Sequence, residues 1–472
     1  MRISELSRKI YKGTITPALL IITGAFMVVI YGLILVLTTQ LDFSHRQVGL
    51  EQALNIAEAG VNYYKWHLAH APEDFQDGTG ASGPYTHSYF DPGGGKVGQY
   101  SLEIIPPESG STIVTIKSTG KTDRYPSIGR TITAQYGKPS FARYVFLNNA
   151  SVWYGSGITV AGDVHSNNGV RMDGTNTGKV TSAKDTYMCG SETGCQPPTQ
   201  RPGVWGSGGD QTLWEFPVPA IDFDLVSFDF SKMKTAAQDV GLHLPASNRE
   251  GYHLVFSSNG TVNVFQVNTT NFYNGYSVPG EGLGAEGQGG CRRRNHLITS
   301  EQAIGTYSIA DNPIIFAEDD LWVEGTVKGR VTVVAAGFPI SSQTMNVFVK
   351  NNLLYTTYDG SDTLGLIAQN DIYIVRDIPN NFQIDGAIMA QKGRVIRHGY
   401  LPTCGNSGNA IRSKLTINGA LLSYGKSYWN YGSPLQSGFT TREVNYDSKL
   451  LYAPPPYFPT SSEYEFISWT EE

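Results

Sequence analysis

The 472-residue chain has few charged residues, and this scarcity narrows the classes of protein to which it can belong. Asp, Glu, Lys and Arg together make up 16% of the sequence, against about 25% in an average soluble domain. The net charge of −6 argues against bulk electrostatic binding of nucleic acid, although not against a local basic patch. The aromatic content of 11% excludes a disordered chain. The 53 glycines and 27 tyrosines instead favour a β-rich extracellular protein with many tight turns.

Catalytic motifs are scarce as well. The sequence contains no H-E-x-x-H, no G-x-S-x-G and no P-loop. Acidic pairs occur at Asp319-Asp320 and Asp222-x-Asp224, without an identified catalytic partner. Because paired carboxylates in a groove can hydrolyse polysaccharide, a membrane-anchored solenoid enzyme acting on cell-surface polysaccharide stays open as an alternative. We predict a protein that is not an enzyme and has no cofactor or metal, with Asp222 or Asp224 capping a helix.

One long apolar run stands near the N-terminus, at residues 18–37, where only Thr23 and Tyr31 carry polar groups. Twenty helical residues span about 30 Å, the thickness of the hydrocarbon core of a bilayer. A buried core helix or a cleaved secretory signal would be the alternatives, but the run passes directly into a longer helical pattern. Four basic residues precede the run and acidic residues follow it. The positive-inside rule therefore predicts a single-pass protein with a cytoplasmic N-terminus and an extracytoplasmic C-terminal domain.

The helical pattern continues beyond the apolar run, with apolar residues at three- and four-residue steps up to Leu68. No proline lies between Pro17 and Pro72, so one helix over residues 14–72 is expected. Alternating segments at 99–105, 112–118 and 130–136 then predict strands. We assign residues 73–140 to a small antiparallel sheet that follows the helix.

From residue 141 onward, four segments share a pattern in which a glycine follows alternating apolar residues. The glycines are Gly162, Gly325, Gly386 and Gly419. Alternating side chains point inward along a strand, and glycine permits a tight corner before the next one. We therefore predict a β-solenoid over residues 141–472, similar to a right-handed β-helix, with a β-sandwich as the alternative. A helix-containing elaboration is expected at about 210–275, and a Pro-rich C-terminal strap closes the chain.

The N-terminal region resembles the PilX-like minor pilins of type IV pili. The resemblance rests on the basic leader ending Lys12-Gly13, on the apolar run, and on the stretch Ala57-Glu-Ala-Gly60. It implies that prepilin peptidase cuts between Gly13 and Thr14, which would remove residues 1–13. Most pilins have Glu at the fifth mature position, whereas this chain has Ala18 there, so an uncleaved signal anchor is the alternative.

Four cysteines and one basic cluster complete the candidate residues. Cys189 and Cys195 are close enough in sequence to close a short loop, and Cys291 would then pair with Cys404. Disulfides persist outside the cytoplasm, but four cysteines allow three connectivities, and a zinc site of four thiolates is a further alternative. The basic residues Arg292, Arg293 and Arg294 follow a glycine-rich loop, and they could contact nucleic acid or another anion. A solvated or locally paired loop is the competing interpretation.

The fold class expected from these features is mainly β with one long N-terminal α-helix. The plan resembles that of minor pilins with a large solenoid, including the solenoid-bearing competence minor pilin. The resemblance implies a minor component of a type IV pilus or pseudopilus, with other pilins or assembly proteins as partners of the helix. The solenoid would serve adhesion or assembly, with DNA capture as the narrower version. A structural surface protein outside any pilus is the remaining alternative.

Overall fold

The structure is a computed structural model that describes residues 15–108, 110–223, 225–278, 289–406 and 408–472, with the backbone alone for residues 225–229. The chain divides into two units. We call the first the anchor unit; it holds the residues up to 106, then 114–136 and 466–472. The second, the solenoid unit, holds residues 107–113 and 137–465. Each unit is described by itself.

A long helix and an antiparallel sheet make up the anchor unit. The elements in chain order are α1 (Ile15–His70), β1 (Tyr85–Phe90), β2 (Lys96–Ile105), β3 (Ile113–Thr122) and β4 (Gly129–Gly137). All side chains of α1 from residue 15 to residue 48 are exposed. Its second half packs on the sheet through one stripe of residues: Gly49, Ala53, Ile56, Ala57, Gly60, Val61, Tyr64 and Leu68.

Small residues bring α1 close to the sheet. A Cβ atom built on Gly120 of β3 would lie 2.1 Å from the backbone oxygen of Ala53. On the helix side, a Cβ atom on Gly60 would lie 2.2 Å from the hydroxyl of Ser118. Real Cβ atoms do not approach other atoms so closely, so the packing requires glycine at both positions.

The solenoid unit contains most of the strands. The first group is β5 (Phe146–Asn148), β6 (Val152–Tyr154), β7 (Thr159–Ala161), β8 (Val164–Ser166), β9 (Val170–Met172), β10 (Thr175–Asn176), β11 (Val180–Ser182), β12 (Thr186–Cys189), β13 (Thr199–Pro202), β14 (Val204–Trp205) and β15 (Trp214–Glu215). Helix α2 (Leu225–Val240) follows.

The second group is β16 (Leu242–Leu244), β17 (Gly251–Ser257), β18 (Thr261–Ser277), β19 (Gly290–Ser308), β20 (Ile314–Ala317), β21 (Leu321–Val327), β22 (Arg330–Ala335), β23 (Val347–Tyr355), β24 (Thr363–Ala368), β25 (Ile372–Ile374), β26 (Asn381–Ala390), β27 (Val395–Ile396), β28 (Ile411–Ser423) and β29 (Gly438–Tyr446). The last strand of the chain is β30 (Glu465–Glu471).

Parallel pairing stacks these strands into a solenoid, which confirms the predicted fold class and excludes a sandwich. One column runs in register through ten strands, and apart from its two end residues it is buried in one core. Its residues in spatial order are Leu242, Ile315, Val333, Leu366, Ile388, Leu421, Phe146, Val164, Val180 and Trp214. The four predicted corner glycines all have positive φ, between 115° and 149°, a region that glycine occupies without a Cβ clash.

The spatial order of the rungs differs from the order in the chain. Strand β5 pairs with β28, so the first rungs of the sequence stack beyond the last ones. The chain must therefore return from β15 at one end of the stack to β16 at the other, over nine rung spacings or about 43 Å. Residues 216–223 and the 16-residue helix α2 can cover about 50 Å together.

Helix α2 covers the outer surface of the stacked strands along this return path. Its residues Phe230, Met233 and Ala237 are buried in one cluster with outward-facing residues of the strands, including Phe316 of β20 and Val334 of β22. Within the predicted elaboration at 210–275, helix α2 is thus part of a connection that also seals one face of the solenoid, whereas β16 and β17 pair in parallel with solenoid strands. Asp222 lies just before the helix, and Asp224, the other predicted cap, lies outside the described residues.

The C-terminal strap lies on the solenoid, but the chain does not end there. Arg330 donates hydrogen bonds of 3.1 and 2.6 Å to the carbonyl oxygens of Ala453 and Pro454, and Phe458 is buried. Strand β30 then joins the anchor sheet beside β4, giving the order β1-β2-β3-β4-β30. Our assignment of all residues from 141 to 472 to the solenoid is therefore wrong for residues 466–472. Strand pairing over such a sequence distance leaves no local signal.

Candidate functional site

The exposed first half of α1 presents a long apolar surface. An 18-residue window of the helix has a mean hydropathy of 2.8, and none of its residues is buried. By length and composition, this helix can cross a membrane. Ala18 lies in this exposed part. The predicted processing residues Gly13 and Thr14 lie outside the described residues.

Both predicted disulfides are present. Cys189 and Cys195 have Cα atoms 5.6 Å apart and close a loop of six residues. Cys291 and Cys404 have Cα atoms 5.5 Å apart and join residues separated by 113 positions. The second bond ties β19 to the turn at residue 404. No free cysteine remains, so the alternative of four zinc-binding thiolates is wrong.

The arginine triplet lies in strand β19 rather than in a loop, and its three side chains do not form one patch. Neighbouring residues of a strand point to opposite faces. Arg293 stacks on Phe272, with its guanidinium carbon 4.2 Å from the ring centre. Arg294 is buried and donates a 2.6 Å hydrogen bond to the hydroxyl of Ser277, while Arg292 is half-buried. Arg294 therefore supports the hairpin, and anion contact by Arg292 and Arg293 stays a prediction.

Beneath this hairpin lies a buried stack of rings that sequence reasoning did not find. Trp322 and Phe348 stack with centres 4.6 Å apart, and Phe348 and Tyr373 follow at 5.4 Å. His296 and His398 extend the stack. Burial, together with the nearby positive charge of Arg294, lowers the pKa of His296 to about 3, and burial lowers the pKa of His398 as well. The two histidines are therefore neutral at pH 7, and the stack is a structural core.

The acidic pair Asp319-Asp320 has a structural use. Asp319 accepts hydrogen bonds from the backbone N–H and the hydroxyl of Ser247, at 2.9 and 2.5 Å. Asp320 is half-buried and accepts a 2.7 Å bond from the backbone N–H of Asn346. Burial raises the pKa of Asp320 to about 7. Among the described residues, no group of three or more His, Cys, Asp and Glu side chains is arranged to hold a metal ion.

A ladder of alternating tryptophan and arginine lies on three neighbouring rungs. Strands β6, β9 and β14 pair in parallel, which sets Trp153, Arg171 and Trp205 side by side. The guanidinium carbon of Arg171 lies 4.3 Å from one indole centre and 4.8 Å from the other. Arg201 extends the ladder at 4.7 Å from Trp205. Asp173 holds Arg171 through a 2.8 Å ion pair and accepts a 2.9 Å hydrogen bond from Trp153.

Next to the ladder is a cleft of about 180 Å³ that we call the aromatic cleft. It forms where the rungs of β5–β7 meet the segment between β28 and β29. Its rings are those of Phe146, Trp153, Tyr154, Tyr428 and Trp429, and its cations are Lys426 and Arg442. None of the described residues that line it is Asp or Glu. The described lining of the cleft therefore offers neither of the two carboxyl groups with which most glycoside hydrolases cleave sugars.

Several polar atoms of the cleft residues are buried without a partner. Trp429 is 9% exposed, and its Nε1–H has no hydrogen-bond acceptor. The Ser427 hydroxyl and the Oδ1 atom of Asn148 are likewise unsatisfied. Buried polar groups are nearly always paired, so such a cluster points to a missing ligand or water. In the sequence, the signal for this cleft is the run Lys426-Ser-Tyr-Trp429. The residues near 153 that complete the cleft are too distant in sequence to be linked to that run.

No family model and no curated protein matches the chain. Among solved structures, the chain is similar to the crystal structure of the competence-associated pilin ComZ from Thermus thermophilus. The match covers 90% of this chain and 97% of that chain, with 13% sequence identity and a TM-score of 0.29. A TM-score of this size does not establish a shared fold.

Proposed function

We propose that the protein is a non-enzymatic minor component of a type IV pilus or pseudopilus. Helix α1 anchors it in the membrane and then packs among the helices of other pilins, and the solenoid is presented outside the cell. One observation carries this proposal: a single helix has a first half that is apolar and fully exposed, and a second half that packs on a small sheet.

The division of α1 supports a double role for the helix. Contact between apolar surface and water is unfavourable, so the exposed apolar half of α1 needs lipid or other apolar helices around it. The second half is already covered on one side by the anchor sheet, so it has a fixed place on the subunit. A helix of this construction can exchange lipid for neighbouring helices without changing the fold of the subunit.

The distribution of charge supports a cytoplasmic N-terminus. Arg2, Arg8, Lys9 and Lys12 precede the apolar run, and Asp42 and Glu51 follow it. Two disulfides in the solenoid unit suit an oxidising environment on the other side of the membrane. Partners of the proposed surface component are other pilins, the membrane, and an extracellular polymer or surface.

Mass spectrometry of the mature N-terminus tests the proposal. In the native host, we expect a chain that starts at Thr14. A Gly13→Leu variant should keep Met1 and should be absent from sheared filaments, whereas a Gly24→Leu control within the apolar run should be processed normally. An intact Met1 in the wild-type protein would refute prepilin processing. Absence of the wild-type chain from filaments would refute pilus assembly even if cleavage occurs.

A further inference from the structure

We propose that the aromatic cleft binds one sugar ring of an acidic polysaccharide. An acidic polysaccharide would then be the ligand of the outer surface of the solenoid, and this proposal rests on the proposed presentation of the solenoid outside the cell. It does not depend on pilus assembly, because the cleft lies within the solenoid unit and is complete in a single chain.

The rings of the cleft suit a flat ligand with apolar faces. Trp153 is 42% exposed, and Tyr428 is partly exposed beside it in the lining of the cleft. Aromatic side chains present large, rigid apolar faces, and the C–H faces of a sugar ring pack against such surfaces. The volume of about 180 Å³ lies below the range of roughly 300–1,000 Å³ that takes a drug-sized ligand. The cleft therefore admits one ring, and the rest of a polymer has to continue outside it.

The unsatisfied atoms suit hydroxyl groups. The Nε1–H of Trp429 is a donor only, and the Oδ1 atom of Asn148 is an acceptor only. The hydroxyl of Ser427 can play either part. A ligand hydroxyl can accept from an indole N–H and can donate to an amide oxygen, so a ring that carries several hydroxyls supplies both kinds of partner. A purely apolar ligand supplies neither.

The charges at the cleft favour an acidic sugar over a neutral one. Lys426 and Arg442 line the cleft without any carboxylate in its described lining. Lys426 donates a hydrogen bond to the carbonyl oxygen of Glu192, which fixes the lysine in place. Arg442 is an exposed residue and has no ion pair with a described residue, so it is available for a carboxylate, which a guanidinium can bind through two hydrogen bonds.

The neighbouring ladder provides a continuation for the polymer. Trp153 belongs to both the cleft and the ladder, so a chain that leaves the cleft passes over Arg171 and Trp205. Arg201 adds a further positive charge at the end of the ladder. Single-stranded nucleic acid requires a long basic groove that neutralises many phosphates. Two cations at a one-ring cleft fit a sugar acid better.

Titration calorimetry on the purified full-length protein in detergent tests the proposal. The probes are an oligogalacturonate as the acidic sugar, an oligodextran of matched length as the neutral sugar, and oligo-dT as the nucleic acid. The variants are Arg442→Gln, which removes the charge at an exposed position, and Trp429→Phe, which keeps a ring but removes the N–H. The matched controls are Arg249→Gln and Trp66→Phe, both far from the cleft in sequence.

We expect the wild-type protein to bind oligogalacturonate at least tenfold more tightly than oligodextran. Arg442→Gln should weaken acidic-sugar binding about tenfold, Trp429→Phe about fivefold, and the two controls less than twofold. The proposal is overturned if no sugar binds, if both sugars bind equally, if oligo-dT binds more tightly, or if both cleft variants bind like the wild type. Because the assay needs neither cleavage nor filaments, its failure is distinguishable from failure of the pilus proposal.

Discussion

The two disulfides close loops of very different length, and this difference predicts how much each contributes to stability. We consider replacement of Cys291 and Cys404 by serine, with replacement of Cys189 and Cys195 as the matched control. The separations are 113 and six residues. The chain-entropy model gives losses of about 4.8 and about 2.2 kcal/mol in the free energy of unfolding, a difference of about 2.6 kcal/mol.

The folded hairpin should survive removal of the longer bond, because other contacts hold it in place. The backbones of Tyr276 and Gly399 exchange two hydrogen bonds of 2.9 and 3.0 Å. Asn274 donates a 3.0 Å bond to the carbonyl oxygen of Cys404. The lost stability is therefore expected to come mainly from the greater freedom of the unfolded chain.

Urea unfolding of the full-length protein in detergent, followed by tryptophan fluorescence, measures both losses. Trp322 and Trp429 are buried in the solenoid unit and report on its unfolding. Far-ultraviolet circular dichroism at zero urea checks that both serine variants are folded. Equal losses for the two pairs, or a larger loss for the six-residue pair, would refute the reasoning from loop length.

Three further predictions concern other parts of the chain. Gly120→Ala should destabilise the packing of α1 by about 1–3 kcal/mol, because the new Cβ would lie 2.1 Å from the helix backbone. Hydrogen exchange of the backbone amides in residues 49–68 measures this loss, and Gly129→Ala is the control. Asp320→Asn should raise the free energy of unfolding more at pH 8 than at pH 5. The folded pKa of about 7 lies above the unfolded value, so in the wild type the contribution of this carboxyl to stability is lost as pH rises through 7. Urea titrations at both pH values measure the two gains, and equal gains would contradict this reasoning. Val29→Lys should reduce membrane insertion by about 2.5–3.5 kcal/mol per chain, measured by fractionation of membranes, whereas Val48→Lys should leave it unchanged.

Local constraints explain which features of the fold could be predicted. A corner glycine such as Gly386 is required by the backbone itself, so its spacing appears in the sequence. The apolar face of α1 has to meet lipid or another protein, and its length follows from the bilayer. The pairing of Leu421 with Phe146 has no such local cause. The permuted order of the rungs follows from contacts between residues 275 positions apart, and no periodicity encodes them.

The same distinction applies to the candidate site. The pairing of Cys189 with Cys195 follows from their short separation, which left Cys291 and Cys404 as partners. The arginine triplet was expected to follow a glycine-rich loop, and its sequence alone did not place it in the long strand β19. The aromatic cleft joins residues near 153 with residues near 429, and neither half predicts a site alone. Solenoid stacking, rather than a sequence motif, creates the cleft.

Strand β30 is synthesised long after the other strands of the anchor sheet. About 330 residues separate the end of β4 at Gly137 from the start of β30 at Glu465, so the ribosome needs roughly 16–66 s to make the intervening chain. During that interval β4 presents an unpaired edge, the kind of edge to which other strands add. The anchor sheet is thus finished only after the solenoid has been made. A truncated solenoid would leave this edge open, so an incomplete chain carries a mark that a protease or chaperone can recognise.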